Sequence, residues 1–207
     1  MSRLKDEDTI PSVSGKDIRF NRIANITSNS SMPVPANETI LPNVTFSGAT
    51  LVGSEEVGNG KIRFLLVDRV MYPPQGNLFD VISNSPILKS LSNLIKVAGL
   101  EAGLSDTGPF TLFAPSDEAF QKLPLESIDY LSHDPQSSRA FLLRHIIRPV
   151  LFTSSIPIGN SSVIESTTGE RLQIVREADV VKVDGVAIRY ADITATNGVI
   201  HVIDHVL

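Results

Sequence analysis

Thr111-Leu112-Phe113-Ala114-Pro115-Ser116-Asp117-Glu118-Ala119-Phe120 is the stretch whose reading decides the fold. Thr111 to Ala114 is a short apolar run and reads as a buried strand. Pro115 and Ser116 end it and open a helix: proline suits a first helical turn, and a serine side chain can accept from a free backbone N–H there. Asp117 then falls in the first turn, where the helix dipole favours a negative charge. Ala119 and Phe120 point back to the core. A strand that passes straight into a helix, with apolar residues on both sides of the junction, belongs in the middle of a domain.

Working outward, helices come before this stretch and strands after it. Asn77 can cap a short helix bearing Leu78, Val81 and Ile82. Ser85-Pro86 reads as a second helix start, with Leu88, Leu91, Leu94, Ile95 and Ala98 at helical spacing and Gly99 as a stop. Asp134-Pro135 starts a longer helix carrying Phe141, Leu142, His145 and Ile146. From Val150 the pattern turns to β. Arg171–Val175 is a strand, and Val180–Val183, Asp184-Gly185 and Val186–Tyr190 form a hairpin around a favoured two-residue turn. Val199–Leu207 is apolar on both faces for much of its length and reads as a central last strand. Helices followed by strands predict an α+β fold.

Residues 1–73 read differently. Tyr72-Pro73-Pro74-Gln75-Gly76 is a breaker cluster, so 74–76 is expected to be a linker. Upstream of it lie the strand candidates Ile18–Phe20, Thr50–Val52 and Ile62–Val67, and no helix pattern. The two segments share an ending. Arg63 to Met71 lies over Val199 to Leu207 without gaps, and Ser14 to Phe20 lies over Thr168 to Ile174. An Asn-Gly precedes each final run, at Asn59-Gly60 and Asn197-Gly198. Residues 1–73 are therefore expected to be the β-rich second half of the domain that is whole at 77–207, as in a tandem array. Without the helices, its strands would leave apolar faces uncovered.

The 207 residues carry 18 Lys and Arg against 23 Asp and Glu, a net charge of −5, and 42% hydrophobic residues. This composition excludes wholesale disorder, and no basic run points to a nucleic acid. No apolar run reaches the roughly 18 residues of a membrane span. With no cysteine, disulfides, thiolate metal sites and a cysteine nucleophile are excluded. Asn-x-Ser/Thr occurs at Asn25, Asn29, Asn37, Asn43 and Asn160, four of the five within one polar stretch. These read as N-glycan acceptors on an extracellular protein, or as a polar loop rich in Asn, Ser and Thr. On the first reading the lack of an apolar leader at Met1–Glu7 makes the chain part of a longer protein.

Residues 111–120 resemble the first signature of the fasciclin domain, and Asn197-Gly198-Val199-Ile200-His201-Val202-Ile203-Asp204 resembles its second. Leu142-Leu143-Arg144-His145-Ile146-Ile147 falls at the family's Tyr-His segment, with Arg144 where Tyr is usual. The resemblance covers 77–207 as a whole domain and 1–73 as a partial one. It implies a wedge of β-strands with a helical cluster, and an extracellular module of cell or matrix adhesion. It further implies a partner that is a cell-surface receptor, with integrins among the candidates, or a second fasciclin domain. Membrane attachment would need a lipid anchor, whose signal this chain lacks, and no cofactor or metal is implied.

Within the signatures, Thr111, Phe113, Pro115, Ser116, Asp117, Phe120, Asn197, Gly198, His201 and Asp204 are expected to act structurally. Asp192-Ile193 resembles the family's integrin-binding Asp-Ile segment just before the second signature, and His145 lies in the region linked to integrin recognition. A loop carboxylate could meet a receptor's divalent cation, a hard ion that prefers oxygen ligands. Equally, it could bond nearby backbone N–H groups as turn carboxylates do. A carbohydrate- or matrix-binding module and a structural spacer remain the rival readings.

An enzyme is disfavoured. No His-Glu-x-x-His, Gly-x-Ser-x-Gly or phosphate-loop pattern occurs. His201 and His205 would share a strand face, yet four residues of strand span about 13 Å, too far for two nitrogens that must each lie near 2 Å from one zinc ion.

Overall fold

A computed structural model describes residues 9–11, 17–22, 44–57, 62–178 and 180–207. The chain divides into two compact units, Met1–Pro73 and Pro74–Leu207.

In the first unit β1 (Thr9–Pro11), β2 (Asp17–Arg22), β3 (Val44–Phe46), β4 (Ala49–Val57) and β5 (Ile62–Val67) form an antiparallel sheet in chain order. The three expected strands lie within β2, β4 and β5. Ser47 and Gly48 close the β3–β4 hairpin with φ of 48° and 82°, the left-handed pair that matches the twist of the flanking strands.

The second unit opens with helices. These are α1 (Leu78–Asn84), α2 (Lys89–Val97) and α3 (Glu101–Ser105). Asn77 caps α1 as expected, and Asp80 returns the bond to the Asn77 N–H in a capping box. β6 (Phe110–Pro115) and α4 (Asp117–Gln121) meet at Ser116, whose hydroxyl accepts from the Ala119 N–H. Then come α5 (Leu125–His133), α6 (Pro135–Arg144), the short β7 (Ile146–Ile147) and a 3-10 turn at Thr153–Ser155. Asp134 caps α6, with Pro135 in its first turn. The remaining strands are β8 (Ser161–Glu165), β9 (Arg171–Glu177), β10 (Val180–Val183), β11 (Val186–Ala195) and β12 (Gly198–Ile203).

The seven strands run in the order β7-β6-β12-β11-β10-β9-β8. Only β12 with β6 is parallel, in register from Gly198 opposite Phe110 to Ile203 opposite Pro115. Ile147 in β7 also bridges Ser166, just past β8, so the first and last strands meet and the sheet nearly closes into a barrel. Residue alternation then makes two cores. Leu112, Ala114, Ile200 and Val202 pack under the helices with Leu78, Ile82, Leu91 and Ile95. Phe113 and Ile203 turn the other way, into the barrel with Leu172, Ile174, Val181 and Val183. The expected α+β architecture is the one observed.

Two local expectations are corrected. Ser85-Pro86 does not start α2. Ser85 ends α1, and α2 begins at Lys89 because its N–H groups are satisfied from elsewhere in the chain. The last strand stops at Ile203, and the chain bends at Asp204 and His205. His205 is consequently exposed while His201 is buried, so the two share no face.

Candidate functional site

Both signature segments sit where β6 and β12 run side by side, and most of their polar side chains are turned inward, Glu118 and Asp204 excepted. Thr111 is fully buried. Its hydroxyl donates to the Pro149 carbonyl at 2.8 Å and accepts from the Leu151 N–H at 2.8 Å, tying the 149–151 loop to β6. Asp117 does more than occupy the first turn of α4. Its carboxylate accepts from the Ser90 N–H at 2.7 Å and the Lys89 N–H at 3.3 Å, so it caps α2 from across the fold. The residue in the N-cap place of α2 is Leu88, which has no cap to offer. Asp117→Ala is therefore expected to lower stability by about 1–2 kcal/mol through α2 rather than α4. Urea denaturation measures the loss, and hydrogen exchange at Lys89 and Ser90 should locate it.

Asn197 is buried and works as a three-way strut. Its Oδ1 accepts from the Leu78 N–H at 2.9 Å, and its Nδ2 donates to the carbonyls of Leu104 at 2.8 Å and Asp106 at 2.7 Å. One side chain thus holds α1 and the end of α3 against the start of β12. Gly198 follows, and a Cβ there would lie 2.2 Å from the Phe110 carbonyl oxygen. Phe120 packs against Phe141, with ring centres 6.0 Å apart. Pro115 ends β6 opposite Ile203. At the surface, Asp204 faces His205 at 2.9 Å, and this hydrogen bond first of all holds its carboxyl below the usual range.

The Asp192 segment is built around a β-bulge. Between Tyr190, opposite Val202, and Ile193, opposite Ile200, β11 carries an extra residue, and Asp192 adopts φ of 59°. The bulge turns the Asp192 side chain inward, to 8% exposure. Its carboxylate accepts from the Thr153 N–H at 2.8 Å and from the Thr153 hydroxyl at 2.5 Å. The Asp192 N–H donates to His201 Nδ1 at 3.1 Å, so the proton of the neutral ring sits on Nε2, which donates to the Leu151 carbonyl at 2.7 Å. His201 stacks on Phe113, and burial pushes its pKa down. The network ties β11, β12 and the 151–153 segment together. With both His201 nitrogens held by backbone groups, neither activates a hydroxyl.

Of the three receptor candidates, His145 is buried, the Asp192 side chain is turned inward and Ile193 is partly buried. Asp192 is spent on Thr153, and Ile193 packs against the helical core. His145 is fully buried at the end of α6. Its Nδ1–H donates to the Phe141 carbonyl at 2.7 Å, and its Nε2 accepts from the Leu207 N–H at 3.1 Å. Burial lowers its pKa to about 4. Arg144, half-exposed, lies 2.9 Å from Glu170. What this segment does present is its neighbours: Tyr190 is 49% exposed, with the Arg189 guanidinium 5.7 Å from its ring centre and paired with Glu118. No signal in the sequence separated the presented residues from the buried ones, because a bulge shifts the alternation that such a reading depends on.

Of the five sequons, Asn25, Asn29, Asn37 and Asn43 lie outside the described residues, and Asn160 is exposed just before β8. No helix among the described residues is long and apolar enough to cross a membrane.

The fasciclin domain family model matches residues 86–207. Transforming growth factor-beta-induced protein ig-h3 of Sus scrofa is 32% identical over 166 residues, which is 79% of this chain and 24% of that protein. The chain thus spans about a quarter of that relative's length. The cell surface glycolipoprotein MPB83 of Mycobacterium bovis is 25% identical over 189 residues, 87% of this chain and 84% of that protein. Among solved structures, a FAS1 domain pair from the insect cell adhesion molecule fasciclin I superposes with a TM-score of 0.58 at 19% identity, covering 93% of this chain and 67% of that one. That likeness concerns the fold, which is the wedge of strands and helices found here. With both signatures in place where β6 and β12 pair, and the family model spanning them, this chain belongs to the fasciclin domain family.

Proposed function

We propose that the chain is an extracellular adhesion or matrix-interaction module of a tandem fasciclin-domain glycoprotein. In this reading residues 1–73 are the second half of one domain and 77–207 are another. One observation carries the functional part: Thr111, Asp117, Asn197 and His201 of the two signatures are spent on partners within the fold, at Pro149, Ser90, Leu78, Leu104 and Leu151, as is Asp192 beside them on Thr153. A module built this way is a scaffold, and its partner meets the exposed surface. The names of its relatives, a cell surface glycolipoprotein and a cell adhesion molecule, agree with that role. Asn160, exposed and within a sequon, carries an N-glycan in this reading.

The contact is placed at Arg189 and Tyr190, an exposed cation beside an exposed aromatic, of the kind that dominates protein interfaces. Asp192 and Ile193 act from beneath, as positioning residues for that segment. The partner is a cell-surface receptor, integrins included, or a second fasciclin domain. Cell attachment to the immobilised chain tests this, with and without a divalent-metal chelator. Tyr190→Ala and Arg189→Ala should each weaken attachment several-fold and leave the denaturation midpoint unchanged. Attachment lost with chelator points to a metal-dependent receptor; attachment that survives it points to homophilic or glycan contact. Full attachment by both variants would remove this surface from consideration, and no attachment by the native chain would leave a structural spacer.

A further inference from the structure

The five strands of the first unit repeat β8 to β12 of the second, in the same order and, up to the Asp192 bulge, in the same register. In the β3–β4 hairpin Phe46 lies opposite Ala49 and Thr45 opposite Thr50; in β10–β11 Val183 lies opposite Val186 and Lys182 opposite Ala187. The turn angles agree as well, 48° and 82° at Ser47-Gly48 against 47° and 81° at Asp184-Gly185. Phe20 faces Phe46 as Ile174 faces Val183, and Ile10 faces Ile18 as Ile164 faces Leu172. Even the irregularity is shared: the bulge between Leu51 and Gly53, opposite Val67 and Leu66, matches the one between Ile188 and Tyr190, opposite Ile203 and Val202. This equivalence sets Phe64, Leu65 and Leu66 at the places of Ile200, His201 and Val202.

One difference is instructive. The second bulge of β11, at Asp192, has no counterpart in β4. Where His201 accepts the N–H of the extra residue, the first unit has Leu65, which has nothing to accept with.

The surroundings of the two strands differ sharply. β12 is flanked by β6, and Ile200, His201 and Val202 are at most 1% exposed. Among the described residues β5 ends its sheet, and Phe64, Leu65 and Leu66 are 58%, 46% and 65% exposed. Alternation puts Phe64 and Leu66 on one face and Leu65 on the other. A strand apolar on both faces belongs in a sheet interior, and an open apolar edge is a template for another strand.

We infer that the free edge of β5 is a binding site for an apolar strand that runs parallel to it and brings a helical layer with it. Its occupant has the chemistry of the first half of a fasciclin unit, as residues 77–154 have it here. The inference rests on reading residues 1–73 as a second half-domain. Edge-to-edge pairing with β5 of a second copy would satisfy the backbone and leave the Phe64–Leu66 face bare; a strand with attached helices covers both. Ile62 stands where Gly198 allows the closest approach, so pairing starts at Arg63.

The test compares the 207-residue chain with a longer chain that carries a second copy of residues 77–154 directly ahead of Met1. In that chain Thr9 follows the copy at the spacing of Val163. Hydrogen exchange at the residue 63–67 amides that do not bond β4 should slow by about tenfold or more in the longer chain. Leu66→Asp in the longer chain should abolish that slowing and leave exchange in β6 and β12 as it was. Equal exchange in both chains would overturn the inference. So would slow exchange in the 207-residue chain that appears together with a dimer, because two copies would then be pairing edge to edge. Neither result bears on attachment through Tyr190, so the adhesion reading stands or falls separately.

Discussion

Gly198→Ala is expected to cost about 4 kcal/mol, enough to leave an ordinary domain marginal. The reason is a backbone crossing without clearance. An alanine Cβ at 198 would sit 2.2 Å from the Phe110 oxygen and 3.0 Å from its carbonyl carbon. Neither can move aside as a flexible side chain would, because Phe110 is held in the β6–β12 register and its N–H donates to the Asn197 carbonyl at 3.1 Å. The other side is as tight, since a Cβ at Gly108 would lie 1.9 Å from the Asn197 oxygen. Relief therefore requires the start of β12 to shift, which pulls Asn197 from Leu78, Leu104 and Asp106 together. Overpacking alone costs about 1–3 kcal/mol, and the stranded buried polar groups add to it. Gly103→Ala is the contrasting variant. It lies within α3, a Cβ there meets only Leu100 at 4.0 Å, and helix propensity should make it neutral or stabilising by up to about 1 kcal/mol. The denaturant midpoint should fall steeply for Gly198→Ala and hold or rise for Gly103→Ala. A loss at Gly198 no larger than that of an ordinary surface change would mean that the two strands can separate freely.

Sequence reading reached the fold through elements whose signal is local. Asn77, Ser116 and Asp134 cap the helices expected of them, and Asp184-Gly185 makes the expected hairpin turn. What it missed depends on distant partners. α2 starts at Lys89 because Asp117, far along the chain, supplies the cap that Ser85 was expected to give. α5 has no fully buried residue, yet Leu125, Ile128 and Leu131 recur at helical spacing, so it could have been found. Asn197 reads as a turn residue and is in fact a strut between α1 and α3. A glycine inside an apolar strand does signal close backbone approach, so Gly198 could have been found. The inward turn of Asp192 could not, because a left-handed aspartate in a bulge looks like any other aspartate until the partner strand is in place.

The second large effect should appear on acidification, because His145 and His201 are both buried as neutral rings. Burial lowers the His145 pKa from 6.5 to about 4, and lowers that of His201 as well, against the opposing charge of Asp192. The unfolded chain takes up protons near the ordinary histidine value, and the folded chain resists doing so. Stability from these groups is thus complete above the ordinary value and is lost as the pH falls from there toward 4. For His145 the loss over the window amounts to about 3 kcal/mol, and His201 adds to it with the same sign. The geometry gives the same answer. Protonation would turn His145 Nε2 from acceptor to donor against the Leu207 N–H, and His201 Nδ1 against the Asp192 N–H. The lowered carboxyls of Asp134 and Asp204 act in a separate window, since their contribution is lost only below the ordinary carboxylate value. Urea denaturation of the 207-residue chain at pH 7, 6, 5 and 4.5 should therefore show a midpoint that falls from about pH 6 downward, above the window in which the Asp134 and Asp204 contributions are lost. His145→Gln should start from lower stability and show a shallower pH slope, since one of the two titrations is gone. A midpoint that stays level between pH 7 and 5 would mean that both rings are protonated without cost in the folded chain, and the neutral, backbone-bonded histidines described above would have to be redrawn.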